Sequence, residues 1–258
     1  MTHLCYGFSL MPTKRSHGES PGRRVQLHRA ISKLGWGSRG EGQRWIAEGR
    51  VRVDGRVCTD PFIWIDLETS RVTLDQKAPP PPARLLLSIH KPLGIVVTHR
   101  DERGRDNIFG LLPKGLPRLV AVGRLDADSE GLLLLTTSGA LADALTDPAR
   151  HVPKRYLLTT RGRVGPEALA ALRGGLVLND GPTRPAEARL LEAGDRASLV
   201  ELVLTEGRNR QARRMLEAVG HPVERLVRTA IGDLELGNLG PGEWREERFS
   251  RFGAPDQG

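Results

Sequence analysis

Three carboxylates fall within five residues in the stretch Gly123-Arg124-Leu125-Asp126-Ala127-Asp128-Ser129-Glu130-Gly131, pressed between the apolar runs 119–122 and 132–135. Acidic groups spaced this closely on a glycine-bounded loop permit three kinds of chemistry. One aspartate can cap a helix or close an Asx-turn and do nothing more. Several together can hold a hard cation, or act as general acid, base or nucleophile on a substrate. The loop alone leaves all three open.

Two other stretches carry groups that would complete such a site. Lys154-Arg155-Tyr156 holds the only tyrosine besides Tyr6. Taken alone, this tyrosine reads as a strand-opening residue half-buried in a sheet. In Glu206-Gly207-Arg208-Asn209-Arg210-Gln211-Ala212-Arg213-Arg214-Met215, the residues Ala212, Met215, Leu216 and Val219 recur at helical spacing, and Gly220 is placed to end the helix. Arg213 lies on the flank of that stripe, where a guanidinium is partly buried and still reaches a carboxylate in a neighbouring loop. Arg210 and Arg214 project to the opposite side, toward solvent or phosphate. The alternative is a solvated basic helix.

The elements that must position these groups begin with the length, 258 residues at 38% hydrophobic, enough for a small domain and a larger one. Net charge is +8, and eleven Lys or Arg against five Asp or Glu in residues 1–60 place +6 of it there. A basic module on a nearly neutral body points to a polyanion grip with salt-sensitive, largely sequence-independent affinity. The two cysteines, Cys5 and Cys58, make no metal-binding spacing and fit a reducing cytoplasmic setting. No apolar run approaches membrane-spanning length, and a soluble monomer is expected.

Residues 1–22 read as a disordered basic leader, with Met11 an alternative start. Leu27, Ala30, Ile31 and Leu34 make an amphipathic stripe closed by Gly35. Ser38 with Glu41 is a capping-box pattern opening a second helix that ends at Gly49. Val51–Val53, Asp54-Gly55 and Arg56-Val57 then alternate about a tight turn. Lys33, Arg39, Arg44, Arg50, Arg52 and Arg56 stud this unit as candidate RNA contacts. The four prolines within 77–83 read as a semi-rigid linker. Beyond it come strands at 85–89, 95–98, 119–122, 132–136, 156–160 and 199–205, helices at 140–145, 166–173 and 210–219, and a terminal meander through Trp244. The expected domains are 23–76 and 84–250, with a tail at 251–258.

On these residues two resemblances rest. Val25 to Asp66, with its Gly-x-x-Ser-Arg helix junction and Glu-Gly-Arg-Val-x-Val-Asp-Gly hairpin, resembles an S4 RNA-binding domain. Gly-Arg-Leu-Asp followed by Ser-Glu-Gly-Leu-Leu-Leu-Leu-Thr resembles the active-site signature of ribosomal RNA pseudouridine synthases of the B type, with Lys154–Tyr156 and Gly207–Met215 similar to two further family elements. Ser129 stands where that family usually has Thr, Thr137-Ser138 where it has Asn-Asp, and Ala212 where it has a branched aliphatic residue.

The resemblance implies an α+β fold, a small helix-rich S4 domain followed by a mixed, mainly antiparallel sheet. It implies catalytic roles for Asp126, Tyr156 and Arg213, no cofactor or metal, and ribosomal RNA or a pre-ribosomal particle as partner, with large-subunit RNA favoured over small-subunit RNA. Arg213 is expected to pair with Asp126, and Arg124, Lys154, Arg208, Arg210 and Arg214 to contact RNA. Two readings compete with this one. The first is a non-catalytic S4-type assembly factor; the second is a metal-dependent hydrolase using Asp126, Asp128 and Glu130.

Overall fold

A computed structural model describes residues 24–79, 84–98 and 104–249. The expected leader, most of the proline run and the tail, with Cys5, Tyr6 and Met11, lie outside these residues. The chain separates into two compact units, Met1–Pro79 and Pro80–Gly258.

The first unit is built as its local signals dictate. Strand β1 (Arg24–Gln26) leads into α1 (Leu27–Lys33), which buries Leu27, Ala30 and Ile31. Helix α2 (Arg39–Ala47) opens on a complete capping box: Ser38 accepts from the Glu41 N–H, and the Glu41 carboxylate accepts from the Ser38 N–H at 2.7 Å. Strands β2 (Val51–Val53) and β3 (Arg56–Val57) form the hairpin, with Asp54 at φ 50° and Gly55 at φ 80°, the two left-handed positions that a type I′ turn requires. Strand β4 (Trp64–Asp66) pairs with β1, and β5 (Val72–Leu74) pairs with β2. Ile46, Val51, Ile65 and Val72 close the core over α1.

The second unit is organised on one nine-stranded sheet. Its strands are β6 (Leu86–Lys91), β7 (Val120–Ala121), β8 (Glu130–Thr136), β9 (Lys154–Arg161), β12 (Glu187–Ala193), β13 (Ala197–Leu204), β14 (Val223–Ile231), β15 (Leu234–Glu235) and β16 (Trp244–Glu246). The order is β12-β13-β9-β14-β8-β6-β16, with β7 added to β8 and β15 to β14. Only the β14–β8 pair is parallel; it joins Val227 to Glu130 and Arg228 to Gly131. Helices α3 (Gly139–Thr146), α4 (Pro166–Gly174) and α5 (Gln211–Ala218) pack on this sheet, and β10 (Val177–Leu178) pairs with β11 (Gly181–Pro182) as a separate hairpin. The α+β class and its mainly antiparallel sheet are as expected.

Leu132–Leu135 form an unbroken apolar run because β8 is covered on both faces: Leu132 and Leu134 enter the core with α3, while Leu133 and Leu135 enter a second core with Ile89 and Ile108. One local expectation changes. Residues 95–98 make only an isolated bridge, Val96 to Asn107, instead of a strand. Residues 187–193, rich in Ala, Leu and Glu, are extended because pairing with β13 outweighs helix propensity.

Candidate active site

Three adjacent strands make the floor of a cavity of about 300 Å³. In β9, Lys154 and Tyr156 lie two residues apart and so share a face. Across the ladder Tyr156 sits opposite Leu202 of β13 and Arg228 of β14, and Lys154 sits opposite Leu204 and Ile231. Directly paired residues share a face, so the floor carries one aromatic ring, two cations and an apolar surround. The walls are the loop before β8, which carries Arg124 and Asp126, and the segment entering α5, which carries Arg210 and Arg213.

The carboxylate loop is held from several sides. The Ser129 N–H donates to the Asp126 carbonyl at 3.1 Å, closing a turn, and the Gly94 N–H donates to the Ala127 carbonyl. Lys91, fully buried, donates from Nζ to the carbonyls of Ser129 at 2.6 Å and Pro92 at 2.9 Å. Burial lowers its pKa to about 8, against the opposing pull of Asp126, Asp128 and Glu130. Lys91 binds its proton less readily folded than unfolded, so its contribution to stability rises between pH 8 and its ordinary value of 10.5 and is least below pH 8. Titration of lysine side chains by carbon NMR should show a Lys91 resonance moving near pH 8, absent in Lys91→Met; a Lys91 midpoint near 10.5 would contradict the burial effect.

The three acidic residues have separate fates. Asp128 takes a bidentate pair from Arg210 at 3.0 and 2.8 Å, which holds its carboxyl below the usual range despite partial burial. Glu130 receives Arg225 at 2.6 Å and is lowered in the same way. Asp126 has a looser contact, 3.6 Å from Arg210, and its carboxylate stays on the cavity wall. Among the described residues no group of three or more His, Cys, Asp or Glu side chains is arranged to hold a metal ion.

The expected pairing of Arg213 with Asp126 is corrected. Arg213 is buried and does reach the loop, but it donates to the Asp128 carbonyl at 2.6 Å and to the Val223 carbonyl at 2.9 Å, with its Nε 3.6 Å from the Asp128 carboxylate. It therefore braces the loop backbone, and Arg210 supplies the charge beside Asp126. Helical projection misplaced Arg210 because that residue is not helical: it precedes α5 at φ 50°, a left-handed conformation that turns its side chain back over the cavity. Arg210→Ala should free the Asp128 carboxylate and lower turnover about tenfold to a hundredfold, more through kcat than through RNA affinity. An unchanged kcat in single-turnover assays would show that the clamp does not serve the site.

The other arginines assigned to RNA are placed as follows. Arg214 makes a bidentate pair with Asp180, and Arg208 donates to carbonyls of Gly181 and Pro182, so both tie the β10–β11 hairpin to the α5 segment. Arg50 pairs with Asp75 and Glu48 and lies 5.7 Å from the Trp45 ring centre; Arg44 is 3.8 Å from Glu48; Arg52 donates to the Gly55 carbonyl. Lys33, Arg39, Arg56 and Arg124 are exposed. Lys154 is half-buried on the cavity floor. Sequence reasoning missed Lys91 and Arg228. A Lys-Pro turn and an arginine inside an apolar strand were their only signals.

A sheet whose central parallel pair frames a carboxylate loop, with a tyrosine on the floor and arginines above, matches known proteins. The RNA pseudouridylate synthase family pattern covers residues 86–218 and the S4 domain pattern covers 26–61. An RNA pseudouridine synthase of Mycobacterium tuberculosis (strain ATCC 25618 / H37Rv), named as uncharacterized, is 40% identical over 241 residues, covering 90% of this chain and 92% of its own. Ribosomal large subunit pseudouridine synthase B of Bacillus subtilis (strain 168) is 34% identical over 227 residues, covering 86% and 91%. A crystal structure of a pseudouridylate synthase superposes with a TM-score of 0.65 at 29% identity, covering 89% of this chain and 98% of that one. The chain belongs to the RNA pseudouridine synthase family, with an N-terminal S4 domain. It is an isomerase that converts uridine in RNA to pseudouridine.

Proposed function

We propose that this enzyme isomerises a specific uridine of large-subunit ribosomal RNA, with Asp126 as the reacting carboxylate and without a cofactor. The observation that carries this reading is the loosely held Asp126 carboxylate, 3.6 Å from Arg210, on the wall of a cavity floored by Tyr156, while the neighbouring Asp128 and Glu130 each take a close arginine pair. A large-subunit target is favoured by the match to the Bacillus subtilis synthase B, which at 227 residues is longer than the second unit and so reaches into the S4 domain.

The isomerisation breaks the bond between N1 of uracil and C1′ of ribose, turns the base and joins C5 to C1′, so no redox partner or outside atom is required. Asp126 either attacks C1′ or removes a proton from C2′. Tyr156 stacks on the extruded uracil and stands where the C5 proton leaves. Arg210 orients Asp126 by holding a positive charge 3.6 Å from its carboxylate. Extruding the nucleotide costs a few kcal/mol, which phosphate contacts from the exposed S4 cations, among them Arg39 and Arg56, offset in a salt-dependent way.

The test is incubation of the full chain with unmodified transcripts of both ribosomal RNAs, followed by pseudouridine mapping at nucleotide resolution. Product confined to the large-subunit RNA supports the proposal. Product confined to small-subunit RNA would keep the chemistry and overturn the substrate; no product in either, from RNA or from assembly intermediates, would favour a non-catalytic assembly role.

A further inference from the structure

Arg228 stands on the cavity floor as a buried cation without a carboxylate partner among the described residues. It is 4% exposed. Its Nε donates to the Leu132 carbonyl at 2.8 Å and its Nη1 to the Arg124 carbonyl at 3.5 Å, but Nη2 has no acceptor. Burying a charge without a counter-ion costs stability, and a buried unsatisfied donor in a native fold calls for a reason. Its position offers one. Arg228 lies directly opposite Tyr156 in the ladder, on the same face, and Lys154 sits two residues before Tyr156. Burial, then the charge of Arg228, hold the Lys154 pKa below the ordinary lysine value.

The floor therefore carries net positive charge where the base would lie: two cations flank the ring, and Asp126, with Arg210 beside it, stands on the wall. Breaking a nucleoside's glycosidic bond separates charge. The electron pair of the N1–C1′ bond leaves with the base, whose negative charge spreads over N1, O2 and O4, while the sugar carbon becomes electron-poor. We propose that Arg228, with Lys154 beside it, is a catalytic residue that stabilises the uracil anion through O2 or O4 while the base is stacked on Tyr156. This rests on the assignment of the cavity to uridine isomerisation.

The atoms balance within the substrate. The base anion turns until C5 faces C1′, the C5–C1′ bond forms from the base's electrons, C5 gives up its proton and N1 gains one. The missing counter-charge of Arg228 exists only once the bond has begun to break, so its stabilisation is larger in the transition state than in the resting enzyme. A phosphate role fits less well, because Arg228 is buried in the sheet floor whereas Arg124 is exposed at the wall.

The test compares wild type, Arg228→Gln and Arg228→Lys at saturating RNA in single turnovers, with uridine or 5-fluorouridine at the target position. The readout is loss of the starting nucleotide. Fluorine makes the base a better leaving group and should relieve the need for Arg228. Arg228→Gln is expected to cleave the uridine substrate about 100-fold more slowly with RNA affinity changed less than about threefold. Arg228→Lys should recover part of that loss, and both deficits should shrink on 5-fluorouridine. A deficit equal for the two bases, a deficit residing in affinity, or a wild-type rate in Arg228→Gln would overturn the proposal. Where Arg228→Gln fails to fold, the base dependence of Arg228→Lys decides in the same way. Wild-type enzyme inactive on uridine would instead defeat the underlying functional assignment.

Discussion

Asp126→Asn is expected to abolish pseudouridine formation, by more than about 10³-fold in single turnover, while leaving the protein folded and able to bind RNA. Asparagine keeps the shape of the side chain but loses the charge and basicity that either attack at C1′ or proton removal at C2′ requires. The structural cost is small. The turn at this position is closed by the Asp126 carbonyl, which the substitution retains, and the side chain's ion pair with Arg210 is long at 3.6 Å and 40% exposed on the Asp126 side. Partly exposed pairs of that kind contribute about 1 kcal/mol or less. Removing a negative charge from the cavity wall also cannot weaken attraction for phosphate. Thermal unfolding, RNA affinity and product mapping on one preparation separate the outcomes, and product at the wild-type rate would remove Asp126 from the mechanism.

The second large effect is structural. Gly131→Ala should destabilise the catalytic unit by about 3 kcal/mol or more and remove activity with it. Gly131 has φ 108°, a conformation that L side chains rarely adopt, and a Cβ there would stand 2.3 Å from the Arg228 carbonyl oxygen and 2.6 Å from its backbone nitrogen. The obstacle is the backbone of β14, which cannot shift without breaking its ladder to β9. Hydrogen exchange of β8 and β14 amides measures this directly. Protection unchanged from wild type would show that the sheet accommodates the methyl group.

Much of the first unit was legible because its signals are local: a capping box, a stripe at helical spacing and an Asp-Gly turn each act within a few residues. The carboxylate loop was legible only in part. Its three carboxylates are equivalent as a string, and what separates them is which arginine each one meets, a long-range matter that spacing does not encode. Arg213 illustrates this, since its burial and approach to the loop followed from the helical stripe, but its partner did not. Arg210 required a positive φ that nothing nearby announces. Strand β14 was hidden within a vague terminal meander, because Arg228 occupies a buried position that an apolar pattern would have filled. That interruption was the sequence trace of the cavity floor.

Strand β14 is made after both of its neighbours, β8 and β9, and inserts between them. Its bond from Arg228 to Leu132 closes 96 positions of chain. Such non-local pairing forms late, after a large loss of chain entropy. A nascent chain emerging from its N-terminus would therefore carry the S4 unit, the carboxylate loop and Tyr156 well before the strand that unites them. Binding competence would precede chemical competence during synthesis, and a chain released before Val223 would hold the reactive groups without the wedge that makes them a site.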